Sequence, residues 1–474
     1  MSTVELKETI PTTIAPQPVD QYAISAEKEV SWTSRQKFIF RVAFVYLLLL
    51  TVPLTGRFYQ GIYKIDWSNF YWSNLSSIAS GFGSPDFITL TKDEAWGLFS
   101  YINLLVTLCV ALLVALIWTS IVRFRKTERK EYQTLYYWIR VIARYRLAFG
   151  VIAWGYKKLI PIQMELPTVG FLNTAFGDFR EQKLYWQSVG ITQHYEIFLG
   201  FAEVLAGLLL LFRKTTALGA ALTFVLLINI AIANHAYDGG VHVHSFTYAL
   251  LGFIILWKDL PNIWNLLIKE KDVVPVQFYP VLSGWQKSGR FILKTGGIAV
   301  FVVFLFYLHW IDDRGYRFGV NPGLENSIGH YNVTEFRLNN KVIPYSPVDS
   351  VRWQYAALER WSTLTYKVNR KQWMDLDNNK GERNDLDMRF ELSGIGDGRH
   401  FFYYEEDKNK QLITLQNKNP KHRDQKQTLH YERPSDSRLI LSGLNEFNDS
   451  IYVVLDKSNR KYPLYESRQQ ASIY

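Results

Sequence analysis

Seven side chains in this sequence have the right type for acid–base or ligand chemistry, and six of them fall where apolar runs end. His194 opens one apolar run, His235 closes the next, His242 and His244 open a third, and His309 closes the last. Asp238 shares the turn between the second and third runs, and Glu203 lies about two turns inside the first. Imidazole titrates near neutral pH and ligates metals through a neutral ring nitrogen. It can donate to a quinone carbonyl and pass protons as the quinone is reduced or oxidised. His194, Glu203, His235, Asp238, His242 and His244 are therefore candidate quinone or proton-relay groups. A His-x-His pair on a strand or turn can place two ligands on one metal, so His235, His242, His244 and His309 form a candidate metal set.

Each of these residues also has a structural reading. Histidine suits a membrane interface much as Tyr and Trp do, and Asp238-Gly239-Gly240 is ordinary turn chemistry. A carboxylate inside a span is costly unless protonated or paired. Glu203 is thus either an internal acid or the partner of Arg146 or of Asn229. Asn229 and Asn234 read as interhelical hydrogen-bonding groups, and Gly200, Gly207 and Gly219 as sites of close helix approach. Lys157 and Lys158 read as snorkelling cations.

The elements that must position these groups are membrane spans. The stretch 193–257 holds three apolar helices broken only by Arg213 and Lys214, and apolar runs of that length are spans rather than core helices. Seven spans are expected, near 38–55, 97–122, 137–160, 195–212, 216–234, 243–257 and 291–311. The third is the weakest, because Arg140, Arg144 and Arg146 occupy its first half and Arg146 sits too deep to snorkel. The aromatic-rich segment 56–96 (Tyr63, Trp67, Tyr71, Trp72) reads as an interfacial loop. Residues 161–190 form a second loop, and 260–268 an interfacial helix. The first 36 residues are polar, carry Pro11, Pro16 and Pro18, and read as a disordered tail without a cleavable signal peptide. The first span would then be an uncleaved anchor.

The totals agree with a chain of two characters. Of 474 residues, 48% are apolar and 16% aromatic, yet mean hydropathy is only -0.06, so a large polar part must accompany the spans. The net charge of +10 sits largely in loops two–three, four–five and six–seven, which the positive-inside rule explains without nucleic acid. That rule makes the N-terminus cytoplasmic and, with seven spans, the C-terminus external. Cys109 is the single cysteine, which excludes an intrachain disulfide.

From residue 312 onward, period-2 runs appear near 334–338, 386–392, 400–404, 412–416, 428–432, 438–441 and 451–455, separated by Gly, Asn, Asp and Pro. They predict an all-β domain of roughly eight strands, a small barrel or sandwich. Asp375, Asp377 and Asn379 begin like a calcium loop, but the glycine falls one place late at Gly381 and Leu386 stands where a glutamate is needed. A hairpin turn is expected there. Phosphate loops, GxSxG, HExxH and CxxC motifs do not occur in the sequence.

The order Arg146, Gly150, Gly155, Lys157 on one helix, then Glu203, Gly207, Leu210, Leu211 on the next, then Thr216–Ala221 after a basic break, resembles the DoxX family of bacterial membrane proteins. The resemblance covers about residues 140–260. It implies a four-helix membrane core and a link to quinone-dependent membrane redox complexes. With a β tail it resembles longer DoxX-like proteins of Bacteroidetes-type bacteria, which would make the outer compartment a periplasm.

The expected chain is a polytopic α-helical inner-membrane protein with a C-terminal soluble all-β domain. Its parts are a tail (1–36), two N-terminal spans (37–136), a DoxX-like core (137–268), a linker and seventh span (269–311) and a periplasmic β domain (312–474). The expected role is a subunit of a quinone-linked oxidoreductase. The alternative is a non-enzymatic anchor or assembly factor whose β domain binds an envelope protein. The lipid bilayer, a quinone and a periplasmic protein are the expected partners. A solute transporter is disfavoured, because the spans show no broken helices with paired interior charges.

Overall fold

An apolar segment in lipid must satisfy its own backbone polar groups, and a helix is the local way to do so. The computed structural model describes residues 31–81, 85–91, 94–274, 278–311, 319–370, 372–376, 384–388, 390–396 and 398–466. The tail at residues 1–30 and the calcium-loop positions Asp377, Asn379 and Gly381 lie outside them. In chain order the helices are α1 (Ser34–Thr51), α2 (Gly56–Tyr63), α3 (Trp72–Ser80), α4 (Ile102–Phe124) and α5 (Gln133–Leu159). Then come α6 (Val169–Leu172), α7 (Glu181–Gly190), α8 (Gln193–Leu210), α9 (Thr216–Ala236), α10 (His242–Trp257) and α11 (Leu260–Leu267). The last apolar run is α12 (Gly284–Ile298), a π-helical turn (Ala299–Phe304) and α13 (Leu305–Ile311).

All seven expected apolar segments are helices. Four stretches, Ser34–Tyr63, Leu98–Phe124, Thr216–Ala236 and Gly284–Ile311, are long and apolar enough to cross a membrane. The other three fall short for separate reasons. α10 has 16 residues, only about 24 Å of helix. α5 carries Arg140, Arg144 and Arg146, and α8 carries Glu196 and Glu203. Of these, α5 occupies the middle of the bundle. α5 packs on α1, α3, α8, α10 and α13.

Glycines set the closest crossing. A Cβ at Gly155 would lie 2.8 Å from the Val204 side chain, one at Gly200 would lie 2.2 Å from the Leu159 nitrogen, and one at Gly207 would lie 2.5 Å from Ile152. The α5–α8 interface therefore brings backbone against backbone, as the small residues suggested. The π turn has a similar local cause. Its displaced Val302 carbonyl accepts a 3.1 Å hydrogen bond from the Tyr156 hydroxyl of α5.

The two ends of the bundle differ in chemistry. At one end lie the start of α1, the end of α4, the start of α5, the α8–α9 break and the end of α10. There Arg41 donates to Glu128 and Tyr132 at 2.6 and 2.8 Å, and Arg140 meets Asp259 at 2.5 Å. At the other end lie the histidines, the connection 161–192 and the exit from α13.

The C-terminal domain is a closed barrel. Its strands are β1 (Gly329–Leu338), β2 (Lys341–Val342), β3 (Tyr355–Leu358), β4 (Thr363–Lys367), β5 (Arg399–Asp407), β6 (Leu412–Asn417), β7 (Lys426–Ser435), β8 (Arg438–Leu444) and β9 (Ser450–Lys457). A short helix, α14 (Pro463–Glu466), follows. β1, β3, β4, β5, β6, β7, β8 and β9 pair in that order, all antiparallel, and β9 returns to β1. β2 only doubles back on β1. Closure leaves no open edge among the eight ring strands. The interior is filled by side chains, as eight strands require. Trp353 and Tyr366 stack there at 3.8 Å, and Phe402, Leu415, Leu429 and Val453 are fully enclosed.

Two sequence readings need correction here. Residues 386–392 are not a strand; their described part is a turn-rich plug. Met388 and Phe390 pack with Trp361, while Glu391 accepts hydrogen bonds from Trp361, Thr363 and Lys418. Alternation arose from a segment that buries apolar groups while irregular. β3 (YAAL) is short and does not alternate, and the five-residue β4 (TLTYK) does alternate but was not among the expected strands.

The barrel is docked on the membrane domain's connection 161–190. Glu359 accepts the N–H groups of Val169 and Gly170 at 3.0 and 2.8 Å, and Arg399 donates to the Gly170 carbonyl at 2.8 Å. Lys183 reaches the Phe390 carbonyl at 2.6 Å while holding Glu165 at 3.1 Å. Phe171, Leu392, Ile395 and Phe401 close the contact.

Burial, and next the Glu391 charge, pushes the Glu359 carboxyl up from 4.5 to about 7. Folding therefore takes up a proton between those pH values. The stability this contributes is complete below about 4.5 and is lost as pH rises through about 7. Burial holds His330 down to about 4 and His400 to about 3, which favours the opposite slope below 6.5. Comparing Glu359→Gln with the parent cancels the histidines. Barrel unfolding followed by tryptophan fluorescence should show the parent losing stability relative to the variant as pH rises, by at most about 1.4 kcal/mol per pH unit between 4.5 and 7. A constant gap would count against the raised carboxyl.

Candidate functional site

His242 and His244 both lie on α10, not on a strand or turn. Two residues on a helix are about 200° apart around the axis, so the pair cannot close on one metal and serves two different sites. Among the described residues no three His, Cys, Asp or Glu side chains gather as a metal-holding group. The proposed metal set is split for this reason.

His242 faces α4 and α9. Its Nε2 lies 2.8 Å from the Ser100 hydroxyl, and its ring is 5.4 Å from His235 and 5.7 Å from Tyr101. Trp96 stacks on it at 6.1 Å. Arg180 covers the mouth of this group, with its guanidinium 4.9 Å from the Trp96 ring and 3.6 Å from Asp238. The same residue's N–H donates to the Gly394 carbonyl of the barrel at 2.8 Å. Arg180 thus ties the barrel to the His235–His242 group.

His244 faces α5. Its ring meets Tyr248 at 4.6 Å and Trp154 at 5.6 Å. Lys157 lies over Trp154 and Trp72 at 5.1 and 5.5 Å. Neither His244 Nε2 nor Trp154 Nε1 has a hydrogen-bond partner, and Lys157 has no carboxylate, among the described residues. The Lys157 ammonium and the Trp154 N–H lie beside indole and phenol rings without an acceptor, and His244 Nε2 joins them as a donor in its Nε2–H tautomer. They suit a carbonyl or anionic oxygen.

Beside this group lies a half-helix. α3 starts at Trp72, which touches His309 at 4.8 Å, and ends at Ser80 inside the bundle. There Arg146 donates to the Ala79 and Ser80 carbonyls at 2.8 and 3.1 Å and to the Tyr248 hydroxyl at 2.6 Å. A cation at a helix C-terminus meets the negative end of its dipole. This resolves the arginine that was too deep to snorkel. Gly150 is required for it: a Cβ there would lie 2.2 Å from the Tyr248 hydroxyl and 2.9 Å from Arg146.

Glu203 pairs with neither Arg146 nor Asn229. Lys158 binds both of its oxygens, at 2.9 and 3.0 Å, and the two residues are 6% and 2% exposed. Lys158 therefore does not snorkel. This pair is an interior charge pair within the expected spans, which the sequence reading did not anticipate. Glu196 accepts the N–H groups of Gln163 and Met164, both at 3.0 Å, and fixes the start of the connection. His194 is exposed on the first turn of α8, apart from both groups. His309 is buried, with Nδ1 2.9 Å from the Leu305 carbonyl.

Ser100, Trp96, Tyr101, Trp154, Arg180 and Tyr248 were not among the sequence candidates. α3 left a readable trace: its buried residues Trp72, Leu75, Ser76, Ala79 and Ser80 are spaced i, i+3, i+4, i+7, i+8.

Helices able to cross a membrane, a half-helix between them and a barrel docked on one end define a membrane protein with an appended β domain. Over 148 residues, 31% of its length, the chain is 32% identical to "Uncharacterized protein YwoB" of Bacillus subtilis (strain 168), covering 90% of that protein. The chain belongs to the same family as YwoB. No family model matches the chain. No solved structure matches it.

Proposed function

We propose that this chain is a DoxX-type, seven-span protein of a bacterial inner membrane that binds a quinone at its histidine end, as a subunit of a quinone-linked oxidoreductase. The N-terminus is cytoplasmic and the barrel periplasmic, in keeping with the basic residues at the opposite end of the bundle. One observation carries the reading: the unpartnered donors of Lys157, Trp154 and His244, stacked among aromatic rings. A quinone ring stacks on such aromatic side chains, and its carbonyl oxygens accept from such donors. His242, with His235 and Asp238 behind it, is the proton exit. Glu203, neutralised by Lys158, is structural in this reading.

Organic extraction of the purified protein should yield quinone near one per chain. His244→Phe should lower that content about tenfold, while His242→Ala should keep quinone but slow its protonation. A quinone-free preparation with an intact fold would end the proposal. A second reading, an anchor for an envelope partner, draws on one observation. Tyr345 and Val348, on the barrel loop after β2, are 66% and 78% exposed. Tyr345→Ser with Val348→Ser should abolish partner capture under that reading and leave quinone content unchanged under the first.

A further inference from the structure

The other end of the bundle holds a cleft that the quinone reading does not use. It encloses about 810 Å³ between α1, α5, the start of α9, the end of α10 and the segment around Tyr279. Five cations line it, Arg140, Arg144, Arg213, Lys214 and Lys258, against one carboxylate, Asp259. Asp259 is already engaged by Arg140 at 2.5 Å.

Arg144 is the informative member. It is 8% exposed, yet no carboxylate meets it among the described residues. One guanidinium nitrogen donates to the Thr216 hydroxyl at 3.1 Å, the group lies 5.0 Å over the Tyr145 ring, and its Nε has no partner. A buried cation in this state carries a large desolvation cost unless an anion completes it. Thr216 is also the first residue of the 21-residue α9, so that helix aims its unpaired N–H groups and positive dipole end into the same space. Arg213, held by the Tyr137 hydroxyl at 2.6 Å and by the Tyr279 ring at 4.5 Å, stands at the rim. The opposite wall is apolar: Ile39, Ala43, Phe44 and Leu47 of α1 run from the charged rim toward the middle of the bundle. Ile39 is 55% exposed on that wall. Cations at one end and an apolar wall descending along a span match an amphiphile with a negative head.

We propose that this cleft binds the phosphate of an anionic phospholipid, with Arg144, Arg213, Lys214 and the α9 N-terminus holding the head and α1 lining an acyl chain. The α1 wall is what selects a lipid over free phosphate.

The test uses full-length protein reconstituted with equal phosphatidylglycerol and phosphatidylcholine, then delipidated stepwise and weighed by native mass spectrometry. The expected result is one retained phosphatidylglycerol, enriched at least tenfold over phosphatidylcholine. Arg144→Gln should reduce the enrichment about tenfold and Arg144→Lys less. Because Arg144 is buried, Lys214→Gln with Lys258→Gln, both nearer the rim, provides the same readout without a core change. Inorganic phosphate at millimolar concentration should not displace the lipid. Equal retention of both lipids, enrichment unchanged by the Lys214→Gln and Lys258→Gln pair, or displacement by inorganic phosphate would overturn the proposal.

Discussion

Lys158→Met is expected to destabilise the helical domain by about 3–5 kcal/mol, because it leaves the Glu203 carboxylate buried without its counter-charge. Neither side chain has room to swing away. Gly155 and Gly200, which flank the pair, bring the backbones of α5 and α8 into contact. The double variant Lys158→Met, Glu203→Leu should recover most of that loss, since two well-packed apolar side chains can replace a buried ion pair at little cost. Unfolding in detergent, followed by circular dichroism, gives the four corners of the cycle. A single-variant cost below about 1 kcal/mol would mean that the pair is hydrated. The same double variant decides the role of Glu203. As a structural residue it leaves quinone turnover intact; a working acid would take turnover with it.

Arg146→Met should have a comparable effect by a different route. It orphans the buried Ala79 carbonyl and leaves the Ser80 carbonyl and the Tyr248 hydroxyl with only their mutual 3.2 Å hydrogen bond. An unsatisfied buried group costs about 1–3 kcal/mol, so with the two lost bonds to Ser80 and Tyr248 a total loss of roughly 2–4 kcal/mol is expected. The loss should be local first. Hydrogen exchange should show the amides of residues 76–80 losing protection while α9 and α4 keep theirs. Arg146→Lys should restore only part, since an ammonium lacks the planar fork that spans two carbonyls. Gly150→Ala should reproduce the defect with the arginine still present, because the new methyl group would fall on the Tyr248 hydroxyl. If α3 keeps its protection in both variants, the half-helix is held by Trp72 and Leu75 instead.

What the sequence disclosed and what it hid follow a physical line. Periodicity and charge-free length depend on nearest neighbours along the chain, so the seven long apolar segments could be read, while α3 and α7 lie in stretches that read as loops. The histidines were correctly placed at one end of the bundle. Pairing across elements was not readable. Whether Glu203 meets Lys158 or Arg146 depends on which faces α5 and α8 turn to each other, and glycines at 155, 200 and 207 decide that through backbone contact. His242 and His244 look like a pair in sequence and are parted by the pitch of α10. The docking of the barrel was hidden for a related reason. Glu359, Arg399 and Lys183 look like surface charges until their partners, mostly backbone atoms of residues 169–170 and 390, are brought to them by the fold.

The closing of the barrel has a consequence for synthesis. Its first ring strand pairs with its last, Tyr331 with Lys457, and ribosomes deliver β1 first and β9 last. Until the final strand arrives, β1 and β8 both present bare hydrogen-bonding edges, the surfaces through which β proteins associate wrongly. The nascent domain is therefore most exposed to misassembly just before it is finished. A premature stop between β8 and β9, at residues 445–449, would leave that vulnerable intermediate as the end product.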